Sequence, residues 1–387
     1  MRSPNERQPV ERGGRAPIVG VVGIVGAGTM GAGIAQLALE AGHEVVLHDV
    51  DETAIERGRT RIRDGLARRA AKLDLDADTI DDWVDGRIGG LRESASLDAL
   101  GAEAEFIIEA ALEDLDLKRT IFRTLDAAAP PQTILATNTS ALSIAAIAEA
   151  TDRPERVVGM HFFNPAPIMP LVEIVAAPET DPAIAAAAAA LVERWGKTAV
   201  RCADTPGFIV NRVNRPYTIE ALRLLEAGAA PVVAIDEALT AAGFPMGPFE
   251  LMDLVGLDIN LAAATAIWNG LGRPERLRPS PVQERLVDAG DLGRKTGRGF
   301  YDYRDGRRVG VSAEFAGAGA RIESVAIRER ILAAIALEAH RALDEGVASA
   351  DDIDRALRLG AGHPFGPFER ERGEGPLSLG GEGLDPA

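Results

Sequence analysis

From residue 18 onward the chain alternates short apolar runs with longer stretches in which apolar residues recur at helical spacing. Residues 18–25 and 44–48 read as strands, with a helix over 29–41 between them. Further apolar runs predict strands over 106–109, 133–136, 157–161, 171–175 and 199–201. Apolar strands separated by helices imply a parallel sheet covered on both faces, a doubly wound α/β domain of Rossmann type. After Cys202 the strand pattern stops, and 208–269 reads as helices broken by Gly and Pro.

A repeat then appears. Residues 338–369 echo 220–250: Gly346 answers Gly228, and Ile353-Asp354 answers Ile235-Asp236, each 118 positions on. After one inserted residue, Gly366-Pro367-Phe368-Glu369 answers Gly247-Pro248-Phe249-Glu250. The second copy stops soon afterwards. The expected plan is a disordered tail over 1–16, the doubly wound domain over 17–203 and an all-α domain over 204–304. A linker over 305–324, a partial second helical repeat over 325–375 and a tail over 376–387 complete it.

The formal charge of −17 argues against non-specific nucleic-acid binding, which needs a basic surface. Cys202 is the only cysteine, so no intrachain disulfide or Cys-based zinc site is expected, and no metal is expected elsewhere. The polar opening lacks an apolar core for a secretory signal, and no run reaches the ~18 apolar residues of a membrane helix. The expectation is a soluble, cytoplasmic protein with no membrane or nucleic-acid partner.

The chemistry begins at VGIVGAGTMGAGIAQ, where Gly26, Gly28 and Gly31 form G-x-G-x-x-G between an apolar strand and a helix opened by Thr29 and Met30. In such a turn the first glycine permits the bend, the second lets the backbone approach a pyrophosphate, and the third lets helix and strand pack closely. The helix N-terminus then faces the phosphates. Asp49 ends the next strand, where its carboxylate would accept hydrogen bonds from an adenosine ribose and repel a 2′-phosphate; its neighbours Val50, Asp51 and Glu52 supply no arginine. The cofactor expected is NAD, and Asp51 fits a helix N-cap better than Asp49.

Of five histidines, His161 stands at the end of an apolar strand, where open α/β sheets bind ligands. Glu173 lies inside another apolar run, where an unpaired carboxylate is costly. The proline-rich loop between them could fold the second strand back beside the first, pairing the carboxylate with the imidazole as a general base for an alcohol needs. A buried structural ion pair is the competing reading.

With the Rossmann unit, the segments ATNTSALSI, GMHFFNPAP, LVEIV and DTPGFIVNRV, in that order, resemble the L-3-hydroxyacyl-CoA dehydrogenase family. RPSPVQERLVDAGDLGRKTGRGFYDY is similar to the end of the family's C-terminal domain, so the resemblance runs from about residue 18 to 303. It implies that His161 takes the proton from the substrate's 3-hydroxyl, with Glu173 as its carboxylate partner, while hydride passes from C3 to the nicotinamide. It implies that Ser140 and Asn211 contact the substrate oxygens, and that Glu113, Lys118, Asn138, Asn164 and Ser140 line the nicotinamide side. Ser140 in a turn and Asn211 as a helix cap are the structural alternatives. Lys72 matches a family lysine near the CoA moiety and Arg68 is a second candidate, in a stretch of seven basic residues from Arg57 to Lys72 that otherwise reads as a solvated face.

The expected reaction is reversible oxidation of a (3S)-3-hydroxyacyl-CoA. The competing readings are a dehydrogenase of a free hydroxy acid such as L-gulonate, as in crystallin-like relatives, and a non-catalytic NAD-binding protein. Short family members dimerise through one helical domain. This chain is therefore expected either to form a homodimer or to be a monomer whose second repeat imitates the dimer partner.

Overall fold

The computed structural model describes residues 20–73, 77–317 and 321–373; the tails expected at 1–16 and 376–387 lie outside them. Eight strands form one sheet: β1 (Val21–Val25), β2 (Glu44–His48), β3 (Leu91–Glu93), β4 (Phe106–Glu109), β5 (Ile134–Thr137), β6 (Val157–Phe162), β7 (Leu171–Ala176) and β8 (Thr198–Ala203). Its order is β3-β2-β1-β4-β5-β6-β7-β8, so the chain reverses direction of growth between β1 and β4, where such sheets bind ligands. The helices over this sheet are α1 (Thr29–Glu40), α2 (Glu52–Ala70), α3 (Ala77–Ile88), α4 (Leu97–Glu103), α5 (Leu115–Ala128), α6 (Ile144–Ala148) and α7 (Pro182–Arg194). Asp51 caps α2, its side chain accepting from Ala54 N at 2.6 Å.

Strand alternation divides the core between the two faces. Ile24 and Ile108 join one apolar cluster, and Val25 and Ile107 the other. The second cluster runs on through Phe208, Phe249 and Ile331, so the helical region is welded to one face of the sheet.

Two expectations about the sheet need correction. It is not wholly parallel, because β6 and β7 pair antiparallel. Residues 163–170 between them are too few for the crossover helix that parallel neighbours require. The edge strand β3 was not anticipated, since of its three residues Leu91 alone is buried.

The helical region comprises α8 (Val210–Val213), α9 (Arg215–Glu226), α10 (Val232–Thr240), α11 (Pro248–Val255), α12 (Leu257–Gly270) and α13 (Pro281–Asp288). A hairpin of β9 (Tyr301–Arg304) and β10 (Arg307–Val311) follows, where the sequence implied no strand and a linker over 305–324. Tyr301 and Phe315 are buried, and the Arg308 guanidinium lies 4.7 Å from the Tyr301 ring centre. Four of the five residues of β10 are exposed, which hid this strand in the apolar pattern.

The second repeat forms α14 (Ser324–Asp344), α15 (Ala350–Gly360) and α16 (Pro367–Glu371). In the first copy the Asp236 carboxylate accepts from Phe249 N at 2.9 Å and Glu250 N at 3.1 Å, tying α10 to the start of α11. In the second, Asp354 accepts from Phe368 N and Glu369 N, both at 2.9 Å. A Cβ on Gly247 would stand 2.3 Å from Asp236, and one on Gly366 2.2 Å from Asp354, so both positions demand glycine.

The copies also clasp each other reciprocally. Arg212 pairs with Glu338 at 2.9 Å, and Arg330 with Glu220 at 3.1 Å, the two pairs being equivalents across the 118-residue spacing. Gly243 abuts Pro364 just as Gly362 abuts Pro245. Exchange of equivalent partners is the mark of an isologous interface. Among the described residues, no single helix is long and apolar enough to cross a membrane.

Candidate active site

The glycine turn has the form a dinucleotide needs. Gly26 adopts φ +99°, and a Cβ there would strike the Ala110 carbonyl oxygen at 2.6 Å. A Cβ on Gly31 would lie 1.8 Å from the Gly26 carbonyl oxygen, while one on Gly28 would meet nothing within 4 Å. The space over Gly28 is thus open to a pyrophosphate at the start of α1, beside exposed Thr29. Asp49 is held at the end of β2 by Ala27 N at 2.7 Å and Val50 N at 2.6 Å. One arginine does approach this corner from further along the chain: Arg61 donates to the Ala27 carbonyl at 3.4 Å.

A cleft of about 580 Å³ opens between the sheet and the helical region. It gathers Met30, Glu113, Asn138, Ser140, His161, Asn164 and Asn211 from distant parts of the sequence. His161 and Glu173 face each other across the β6–β7 ladder, and His161 Nδ1 lies 2.6 Å from Glu173 Oε2. The other oxygen of this wholly buried carboxylate accepts from Ile209 N at 3.0 Å and Val210 N at 2.8 Å. Those amides are presented by a left-handed pair, Gly207 at φ +82° and Phe208 at φ +49°. The second is unfavourable for a residue with a side chain. The buried Phe208 ring packs on His161 at 5.8 Å, and Phe163 packs on it at 4.5 Å. With Nδ1–H committed to the carboxylate, Nε2 is left as the acceptor on the cleft side.

Glu113 organises the neighbouring loop, accepting from Thr139 Oγ1 at 2.7 Å, Ser140 N at 2.8 Å and Ser140 Oγ at 3.1 Å. Burial pushes its pKa up, but these hydrogen bonds and the Lys118 charge outweigh that and hold it below the usual glutamate value. Lys118 itself does not line the cleft. It is buried behind Glu113, 2.6 Å from Glu109 and 3.6 Å from Glu113. Asn138 Oδ1 accepts from Phe162 N at 2.9 Å, and Asn211 Nδ2 reaches the Ser140 carbonyl at 3.5 Å across the domain boundary.

Lys72 and Arg68 lie outside the cleft, exposed at the end of α2. Arg59, Arg63 and Arg69 are engaged with Glu93, Asp85 and Glu40. Arg68 and Lys72, by spacing, continue the stripe of α2 on which Arg61 reaches the glycine turn. Sequence reasoning missed Asn214, Arg215, Thr218 and Asn260 on the helical wall, and Gly360 and Ala361, which the second repeat contributes. The one available signal was a charged residue in the otherwise apolar start of α9. Among the described residues, no group of His, Cys, Asp or Glu is placed to hold a metal ion.

The 3-hydroxyacyl-CoA dehydrogenase NAD-binding domain matches residues 21–205, and the C-terminal domain of the same enzymes matches 207–303 and again 327–371. A relative from Escherichia coli K12, named 3-hydroxyadipyl-CoA dehydrogenase, is 37% identical over 431 residues, covering 90% of each chain. The human mitochondrial hydroxyacyl-coenzyme A dehydrogenase is 40% identical over 309 residues, which cover 79% of this chain and 98% of that one. The crystal structure of 3-hydroxybutyryl-CoA dehydrogenase from Escherichia coli K12 superposes with a TM-score of 0.83 at 36% identity, covering 92% of each chain. With both of the family's domains matched in order around a glycine turn built for a dinucleotide, the chain belongs to the 3-hydroxyacyl-CoA dehydrogenase family of NAD-dependent oxidoreductases.

Proposed function

We propose that this enzyme interconverts a (3S)-3-hydroxyacyl-CoA and its 3-oxoacyl-CoA, with His161 as the general base. The observation that carries the reading is the His161–Glu173 pair at 2.6 Å, with the histidine in the cleft wall and the carboxylate wholly buried. His161 Nε2 accepts the proton of the 3-hydroxyl, and Glu173 fixes the ring and stabilises the imidazolium that results. Ser140 and Asn211 hold the reacting oxygen beside it. Bound NAD supplies the acceptor for the hydride leaving C3; Asn138, Asn164, Glu113 and Met30 line its end of the cleft. The exposed Arg68 and Lys72 give the CoA phosphates a basic stripe.

In an NADH-absorbance assay, His161→Gln should lower kcat by about 10³-fold, with NADH binding kept. Undiminished turnover would sink the mechanism. L-gulonate is the control substrate. The names of the three relatives given above, each a hydroxyacyl-CoA dehydrogenase, favour the CoA ester over a free hydroxy acid. On the same reading the second repeat takes the place of a partner subunit, as the reciprocal clasp suggests, and the chain sediments as a monomer. A tight dimer with the repeat exposed would contradict this.

A further inference from the structure

One wall of the cleft carries a charge that no carboxylate among the described residues answers. Arg215 lines the cleft at the start of α9, is 7% exposed, and has a buried Nε with no hydrogen-bond partner. Among the described residues, no carboxylate pairs with its guanidinium. Arg212, one turn earlier and equally enclosed, shows the usual arrangement, with Glu338 at 2.9 Å and Glu345 at 2.7 Å. Burial pulls the Arg215 pKa down to about 10, so it remains a cation at neutral pH. An unpaired buried cation is a cost to the folded chain, and a ligand that brings an anion removes it.

The position of this charge narrows the ligand. Asn211 reaches the Ser140 carbonyl, and Arg215 follows four residues on along the same cleft wall, just past the Asn214 turn that separates α8 from α9. Asn214 and Thr218 flank it on the cleft surface. Asn214 Oδ1 accepts from His363 Nε2 at 2.8 Å, which leaves the Asn214 amino group as a donor for the cleft. Burial holds the pKa of His363 down to about 3, so this imidazole is neutral and keeps its N–H for Asn214. His363 belongs to the second repeat, and the first copy has Phe244 in its place.

Resting on the dehydrogenase reading above, the geometry points to Arg215 as the counter-ion for a carboxylate at the far end of the acyl chain. The substrate is then a 3-hydroxyacyl-CoA with an ω-carboxylate, and Asn214, positioned by His363, is the second donor. In a six-carbon chain the terminal carboxylate carbon lies roughly 4 Å beyond C3, a short reach that fits the close sequence spacing of Asn211 and Arg215 on one cleft wall.

The test compares reduction of 3-oxoadipyl-CoA with that of 3-oxohexanoyl-CoA, which has the same carbon count and CoA moiety but no carboxylate. The native enzyme should prefer the dicarboxylate in kcat/KM by about 10²-fold, and Arg215→Met should collapse that ratio by a similar factor. Arg215→Lys should keep part of it. Because the variant loses an unanswered charge, it should also melt at a higher temperature than the native protein without substrate. No preference in the native enzyme, or a ratio unchanged by Arg215→Met because both substrates suffer equally, overturns the inference while leaving the dehydrogenase reading intact. A lower melting temperature with lost NADH binding marks Arg215 as structural and also overturns it. Failure of the native enzyme on both 3-oxoacyl-CoAs overturns the dehydrogenase reading, and this inference with it.

Discussion

The two helical repeats share one local design and have different work. Each turns at a left-handed glycine, Gly228 or Gly346, and each locks its second helix with an aspartate on two backbone amides. The first copy continues into α12, α13 and the hairpin and gives the cleft Leu251, Val255, Ile259 and Asn260. The second ends after α16 and gives it Gly360 and Ala361. Gly360, at the point where the second copy carries one residue more than the first, packs where a Cβ would strike Leu171 at 2.7 Å. The reciprocal ion pairs are unequal as well: the Arg212 side chain is 0% exposed and that of Arg330 47%. Like sequences therefore encode like turns and caps, but position in the assembled fold decides what each contact is worth.

Removing the two equivalent glutamates should show the largest difference. Glu338→Ala removes a buried carboxylate that pairs with both Arg212 and Arg276, leaving Arg212 with Glu345 alone, and should cost about 3–5 kcal/mol in denaturant unfolding. Glu220→Ala, facing the partly exposed Arg223 and Arg330, should cost about 1 kcal/mol or less. Equal costs would mean that the two sides of the interface are energetically alike.

The next effect is in pH dependence. Burial raises the Asp236 pKa from 3.8 to about 7 against the hydrogen bonds from Phe249, Tyr301 and Glu250. The native state then holds this proton more tightly than the unfolded chain, so its contribution to stability is full below about pH 4 and is lost as pH rises through 7. Asp236→Asn should flatten that limb, by up to about 4 kcal/mol. Asp354 is also raised by burial but has Arg372 at 3.3 Å, so Asp354→Asn should change the slope less. A larger change from Asp354 would break the ranking.

The smallest effect comes from making the second copy resemble the first. His363→Phe removes the bond to Asn214 and should cost about 1 kcal/mol at neutral pH. It should also lower the preference for an ω-carboxylate several-fold. An unchanged preference would remove His363 from the proposed specificity site.

Much of the site was legible in the sequence because its signals are local. A glycine triplet after an apolar strand, an acidic residue at the next strand end and a carboxylate inside an apolar run each follow from short-range rules. The pattern of apolar strands predicted a parallel sheet throughout, but the short loop before β7 allowed the strand to fold back, and the His161–Glu173 register shows that it does. The burial of Lys118 was not legible, because its position in the motif does not show that Glu109 and Glu113 take up its charge behind the wall. The hairpin was hidden because four of the five residues of β10 are exposed and the strand is anchored by Tyr301 rather than by an apolar run of its own.

By itself the sequence determined the doubly wound sheet, the dinucleotide turn, the candidate base and the existence of the repeat, since each depends on the spacing of neighbouring residues. Only the tertiary structure decided which charges are answered. Arg212 and Arg215 are near-identical in sequence context, yet Glu338, more than a hundred residues away, reaches only the first. The cost of a buried charge depends on what the fold brings within a few ångströms of it, and that distance is not written in the local sequence.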